Sequence, residues 1–337
     1  MTTSYRQTLA DLGIYRRELV AAGATFPLAE VPCRPDGLLS ALPAPPAGRE
    51  GWPWILETPP FPRAPGTWPK ITIVVPSFQQ GIFLEETLRS ILLQNYPHLE
   101  CVVMDGGSSD QSRGIIERYR PWLSFARVAP DRGQGHAINM GFSLASGEIL
   151  GWINSDDFYL PGALRRVAEA WVRGADFIYG ESIEREEADG KNHYGASNPV
   201  RARYCRFAGL LPSHASFWSA TRHQPLWEEQ HCALDYELWI RLLPNLRIRH
   251  IPWPLAVARR HGATKTSNPA LRRHWEDDAQ RNSLAHPELY KRGIASRMLA
   301  LEYRVARGLC RRWRRRGLRA RLKALQRACG WTDEIGE

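Results

Sequence analysis

The sequence predicts an α/β fold, a mainly parallel central sheet flanked by helices, preceded by an irregular arm and followed by a basic helical tail. Three observations predict it. From residue 70 onward, short β-branched runs alternate with stretches of helical spacing. Strand, helix, strand at that spacing makes right-handed crossovers, which join parallel strands. The polar clusters PSFQQG, DGGSSD and NSDD each leave the carboxyl end of a predicted strand. Ligands bind at that edge in such sheets, so the three clusters are expected to converge.

The elements follow in order. Leu9, Leu12, Tyr15 and Leu19 recur at spacings of three and four, which predicts a helix within residues 1–30. From 32 to 69 prolines are dense, with Trp52, Trp54 and Trp68 interleaved. Proline fixes φ and removes a donor, so regular structure is not expected there. The tryptophans predict an arm packed on the body rather than a free tether. Residues 71–75 form a continuous apolar run, as a buried parallel strand requires. Leu84, Leu88, Ile91 and Leu92 predict a helix with Glu85 and Glu86 in its first turn. Strands over 101–104 and 125–128 and helices over 112–119 and 135–145 come next. A strand over 148–153 runs into Asn154, and a helix over 161–171 and a strand over 176–179 complete the series.

The chain has 337 residues, 43% hydrophobic and 24% charged, a balance that excludes wholesale disorder and fibrous repeats. Its length suits about two domains, or one α/β domain with additions. No run approaches the roughly 20 apolar residues of a membrane span, and the N-terminus lacks the apolar core of a secretory signal. A cytoplasmic protein is expected. Cys33, Cys101, Cys205, Cys232, Cys310 and Cys329 show neither a CxxC pair nor zinc spacing and read as free thiols. The net charge of +10 is uneven: residues 297–337 carry twelve basic residues against four acids, a net of +8. There Leu301, Val305, Leu309, Trp313, Leu318, Leu322 and Leu325 recur at spacings of three to five, with arginines on the other face and Gly317 placed to break the helix. Such a helix suits an anionic membrane surface or packs on the body with a solvated arginine face. A nucleic-acid patch fits less well, because the arginines lack interleaved aromatics.

Several side chains could carry chemistry. Ser109 and Asp110 read as caps of the following helix. Asp105 precedes the turn, and its carboxylate is expected to face the cleft and accept from a base N–H or a ribose hydroxyl. Asp156 and Asp157 follow a buried strand and repel each other unless a cation lies nearby. A hard divalent ion on oxygen ligands would supply that charge, whereas a helix N-cap would use one acid and not both. Asp235 and Glu237 open a helix two residues apart and so face different ways; one suits catalysis and the other a pair with Arg241. His261 and His214 read first as ordinary loop residues, with a ligand role the minority reading from the residues alone. Trp218, near His214, suits either a sugar platform or the core.

KITIVVPSFQQGIFLEETLRSILLQNYPHLECVVMDGGSSDQS and DRGQGHAINMGFSLASGEILGWINSDDFYLPGAL closely resemble the family 2 glycosyltransferases of GT-A fold. LPSHASFW, ALDYELWIRLL and LAVARRHGATKTS are similar to that family's later elements in the same order, and GWPW to the lead-in of bacterial members. The resemblance spans about residues 70–265, between an arm (1–69) and a helical basic extension (266–337). It implies that Pro76, Ser77 and Phe78 line the nucleotide pocket and that Asp105 contacts the base. Asp156 matches the last acid of the DxD motif, the usual Mg²⁺ or Mn²⁺ ligand; Asp157 follows it, and His261 matches a late histidine at the metal or diphosphate. Asp235 matches the general base. The chain departs from the pattern at Asn154, which removes a charge but keeps hydrogen bonding to ribose, and at Gln79. Ile138 stands before Asn139 where a basic residue is common, so a diphosphate contact must come from elsewhere; Arg132 is the candidate.

The resemblance implies an inverting transfer of a hexose-type sugar from a UDP, GDP or dTDP donor to a glycan or lipid-linked acceptor, as in bacterial surface polysaccharide synthesis. His214, Trp218 and Glu237 are placed on the acceptor side. The tail is expected to touch the inner face of the cell membrane, and no nucleic acid is expected. Two alternatives compete. A nucleotidyltransferase needs a basic triphosphate loop after the first strand, and PSFQQG has no basic residue. A non-catalytic nucleic-acid or membrane binder using the tail leaves the ordered cleft clusters unexplained.

Overall fold

The computed structural model describes residues 7–61, 68–195, 204, 211–244, 246–290, 293–314, 317–332 and 335–336. Cys205, Arg315, Arg316, Asp333, Glu334 and Glu337 lie outside the described residues. Helix α1 (Leu12–Ala21) comes first, and its Tyr15 and Leu19 are buried, as their spacing predicts. After the arm, β1 (Ile71–Ser77), α2 (Gly81–Leu92), β2 (Leu99–Asp105), α3 (Ser112–Tyr119), β3 (Phe125–Val128), α4 (Gln134–Ser143) and β4 (Ile149–Trp152) form the predicted βαβ series. Then come β5 (Phe158–Tyr159), α5 (Ala163–Val172), β6 (Phe177–Glu186), β7 (Asn192–Gly195) and β8 (Ser216–Ser219). The last elements are α6 (Leu234–Leu242), β9 (Ile248–Arg260), α7 (Arg272–Ala285), α8 (Pro287–Tyr290), α9 (Ile294–Arg314), α10 (Leu318–Cys329) and β10 (Ile335–Gly336).

The sheet order is β10-β7-β6-β8-β4-β1-β2-β3. β4, β1, β2 and β3 are mutually parallel, while β8 enters antiparallel between β4 and β6 and makes the sheet mixed. β9 adds to β6 in parallel and to β5 antiparallel. Register does the positional work. Ser77 pairs with Asp105, and Val74 with Trp152, so the three polar loops leave one edge of the parallel half. Helix α4 crosses β1 so closely that a Cβ on Gly141 would lie 2.5 Å from Val74 Cγ1.

Burial on α2 includes charge. Glu85 accepts from Arg118 (2.7 Å) and from the Tyr119 hydroxyl (2.9 Å), and Glu86 pairs with Arg259 at 2.8 Å. Buried carboxylates persist only with such partners. The strand expected over 176–179 runs on to Glu186, because its polar second half pairs along β9 and Glu184 meets Arg260 at 2.6 Å.

The arm packs on the body. Trp52 and Trp54 are buried, and Trp52 Nε1 donates to the Tyr159 carbonyl at 2.7 Å. Buried Arg89 of α2 donates to the carbonyls of Pro43, Pro53 and Trp54. One core cluster draws on Leu38, Leu42 and Trp52 of the arm, on β1, and on Leu318, Leu322 and Leu325 of α10. The tail helix breaks at Gly317, whose φ is +69°.

Candidate active site

A cleft of about 1420 Å³ lies over the carboxyl ends of β1, β2 and β4. That exceeds the usual volume for one small ligand and leaves room for two. Pro76, Ser77 and Phe78 line it from β1 and its loop. Phe78 is 61% exposed on the rim, an open ring face, and the Ser77 hydroxyl is buried without a hydrogen-bond partner.

The same loop sets the acidic wall. Gln80 Nε2 donates to Asp156 Oδ2 at 2.9 Å, and its side-chain oxygen Oε1 accepts from the Ser155 hydroxyl. His261 Nε2 lies 3.0 Å from the same Asp156 oxygen. Its Nδ1 accepts from Ala263 N–H at 3.3 Å, which assigns the proton to Nε2 and makes His261 the donor to Asp156. Asp157 turns away: Oδ1 accepts from Arg259 N–H at 3.0 Å, and His214 Nδ1 stands 3.9 Å from Oδ2. Burial, with the Asp156 charge beside it, pushes the Asp157 carboxyl well above the usual range. Burial pushes the His214 imidazole down to about 4, so it is neutral at pH 7, and its Nε2 is buried without a partner.

A polar chain crosses the floor. Asn154 Oδ1 accepts from Gln134 Nε2 at 2.7 Å, and Gln134 Oε1 accepts from Lys265 Nζ at 2.6 Å. Lys265 Nζ also donates to the His231 carbonyl at 2.6 Å. Burial pulls this ammonium below its usual range, against the opposing pull of nearby groups that include Asp235 and Asp156.

Asp235 stands on the other wall, in the first turn of α6. Burial raises its carboxyl to about 6, against the Tyr236 N–H and the Lys265 charge, which lower it. Helix α6 has Ala233 at its N-cap and no capping side chain of its own. Buried Asp278 of α7 instead holds the turn that leads into it, accepting from the N–H groups of His231, Cys232 and Ala233 at 2.7–3.2 Å, while the Tyr236 N–H in the first turn donates to Asp235 Oδ1 at 2.8 Å. This wall of the cleft is thus tied to a distant element.

With this geometry in place, residues 72–228 match the family described as Glycosyl transferase family 2. This stretch is a family 2 glycosyl transferase domain. Its α/β fold, a mixed curled sheet flanked by helices, is of the GT-A type. An uncharacterized glycosyltransferase of Nostoc sp. is 31% identical over 111 residues, 30% of this chain and 33% of its own length. The GalNAc(5)-diNAcBac-PP-undecaprenol beta-1,3-glucosyltransferase of Campylobacter jejuni is 27% identical over 125 residues, 36% of this chain and 40% of its own. S. aureus TarS 1-349, solved with UDP-GlcNAc, aligns with a TM-score of 0.47 and 17% identity over 65% of this chain and 71% of that one. The chain spans between a third and two fifths of the length of those two curated relatives.

Within the glycosyltransferase cleft several expectations need correction. Asp105 is buried and folded onto its own loop, where Oδ1 accepts from Gly107 and Ser108 N–H and Oδ2 from the Ser108 hydroxyl (2.8 Å), so its carboxylate does not project into the cleft. Arg132 points out to Tyr15 (2.6 Å) and Glu228 (2.8 Å) and is not part of the cleft lining, whereas Lys265 is. Asn139 is fully buried and pins the 226–228 loop through Leu226 and Glu228. Trp218 is core, packed on Trp152, Trp239 and Phe142. Glu237 is buried in a two-oxygen pair with Arg241 and also accepts from Gln7, so it has no acceptor-side face.

For a divalent ion the donor set fits in part. Among the described residues no three His, Cys, Asp or Glu side chains gather as a metal-holding group. Asp156 offers a hard carboxylate at the wall, which suits Mg²⁺ or Mn²⁺ completed by ligand and water oxygens. Asp157 is turned away from that position, and His261 reaches it only through its bond to Asp156. Gln80, Gln134 and Lys265 were not singled out by sequence. Lys265 was legible as a lone cation inside HGATKTS, four residues past His261.

Proposed function

We propose that this chain is an inverting glycosyltransferase that moves a sugar from a nucleotide diphosphate to a hydroxyl of a glycan or lipid-linked acceptor. The observation that carries the reading is a half-buried carboxylate with its pKa raised to about 6, Asp235, facing a cleft whose other walls hold Asp156 and the β1 loop. A general base works best with a pKa near the working pH. The exposed ring of Phe78 offers a stacking face for the base, and the orphaned Ser77 hydroxyl a hydrogen bond to the nucleoside. Lys265, steadied by Gln134, lies against the diphosphate. Asp235 accepts the proton of the acceptor hydroxyl as that oxygen bonds to the anomeric carbon from the face opposite the diphosphate. The C–O bond to the diphosphate breaks in the same displacement, and the Lys265 ammonium meets the charge left on the leaving group. A bound Mg²⁺ or Mn²⁺, held by Asp156 and diphosphate oxygens, would neutralise more of that charge. A lipid-linked acceptor is favoured by the Campylobacter relative, whose name specifies an undecaprenol-linked glycan.

Thermal shift with UDP-, GDP- and dTDP-sugars, each with Mg²⁺, Mn²⁺ or EDTA, tests the donor site. Stabilisation by one nucleotide class, diminished by EDTA, is expected. No stabilisation by any of them would sink the reading.

A further inference from the structure

The tail helices have opposite fates. In α10, Leu318, Leu322 and Leu325 are buried in the core. In α9, Ile294, Met298, Leu301, Val305 and Leu309 are 80%, 66%, 59%, 56% and 63% exposed. Their spacings of four, three, four and four keep them within an arc of about 80° on the helix, a stripe roughly 22 Å long. The helix is seated by its other side: Tyr303 is buried, with its ring 5.3 Å from that of Tyr204. Exposed Arg297 and Arg304 run beside the stripe and exposed Arg312 continues it at its C-terminal end, while Glu302, the one acid on this helix, lies 2.6 Å from the Tyr204 hydroxyl.

We propose that α9 docks this chain on an anionic lipid bilayer, apolar stripe in the interface and arginines on the headgroup phosphates. Charge decides among occupants. A second copy of the same face would bring arginine against arginine from two segments each of net +8. Nucleic acid would satisfy the arginines and leave five large apolar side chains in water. An anionic bilayer satisfies both faces, each arginine adding about a five-fold gain in partitioning. The helix lies on the surface, since none among the described residues is long and apolar enough to cross it. Trp275 and Ala279 of α7 and Tyr290 of α8 line the cleft, and Tyr290 is only four residues before Ile294. Docking therefore sets the α7 side of the cleft near the bilayer, where a lipid-linked acceptor would arrive. That last step rests on the transferase reading; the docking does not.

Flotation of the full chain with vesicles tests it, comparing phosphatidylglycerol mixed into phosphatidylcholine with phosphatidylcholine alone. The chain is expected to float with the mixed vesicles only. A Leu301→Glu/Val305→Glu variant and an Arg297→Gln/Arg304→Gln variant should each lose at least about tenfold in partitioning. All four side chains are exposed, and an unchanged unfolding midpoint verifies that each variant is folded. Three results would overturn the proposal: equal flotation of the glutamate variant, which reduces the effect to charge alone; no flotation with a concentration-dependent dimer that the glutamate substitutions abolish; or no flotation with RNA binding that the glutamine substitutions abolish. Because no donor sugar enters the assay, a chain that floats but transfers nothing refutes the catalytic reading and leaves the docking standing.

Discussion

As the proposed base, Asp235 would connect stability and activity in opposite directions. Its folded-state pKa, about 6, lies above the unfolded value of about 3.9. The protonated form is therefore the one the fold favours: the contribution is present below the unfolded value and is lost as pH rises through about 6. At neutral pH the ionised group costs folding roughly 2–3 kcal/mol. Asp235→Asn should raise stability above pH 6, leave it nearly unchanged at pH 4, and abolish transfer while donor binding persists. A helix-capping role predicts the reverse, a loss of stability at neutral pH, so urea unfolding at both pH values separates the two. In the unsubstituted enzyme kcat/KM should fall about tenfold per unit below pH 6 as the base protonates. Lys265→Met should raise the donor KM at least about tenfold with a smaller change in acceptor KM, measured with each substrate varied in turn. At this scale the sequence was uneven. That Asp156 and Asp235 would reach the cleft was legible, because each stands in a motif at a strand end or a helix start, and both line it. Asp105, Arg132 and Asn139 were not, because spacing does not show whether a side chain turns to its own loop, as Asp105 does, or to a remote partner, as the other two turn to Glu228.

Helix α6 carries the proposed base, and its N-cap residue, Ala233, has no capping side chain. Three N–H groups of the turn leading into it end on one carboxylate, Asp278, 45 to 47 residues later in the chain. Asp278→Ala would leave those donors, of which the Ala233 N–H is buried, and Arg281, without their acceptor. The expected loss is about 3 kcal/mol in urea unfolding, with kcat falling more than donor KM because the wall carrying Asp235 loosens. Asp278→Asn keeps one acceptor oxygen and should restore part of both. A kcat unchanged in the alanine variant would show that α6 is held by other contacts. The βαβ half was legible because its strands are apolar runs buried on both faces and its helices show their period. The antiparallel half was not. β6 and β9 carry Glu184, Arg185, Arg259 and Arg260 along their pairing, and such charged strands read as loop until the partner strand is known.

The domain is braced across the whole molecule. The sequence predicted from its tryptophans that the proline-rich arm packs on the body, and it does. Buried Arg89 shows how it is held: the guanidinium supplies donors to three arm carbonyls, at Pro43, Pro53 and Trp54, and stands near the Tyr119 hydroxyl. Those carbonyls lie in a segment without strands or helices, so they have no ladder partners to fall back on. The arm in turn meets the tail, with Trp52 N–H donating to the Cys329 carbonyl at 2.9 Å. Arg89→Met keeps the bulk of the side chain and removes every donor, so it isolates the polar weld from the packing. About 3 kcal/mol of unfolding free energy should be lost, with a single transition retained because arm, sheet and α10 share one core. A separate early transition would instead mean that the arm peels away from an intact sheet. By the same reasoning a chain beginning at Lys70 should not fold to a soluble monomer, since it would bare the core surface that Leu38, Leu42 and Trp52 cover.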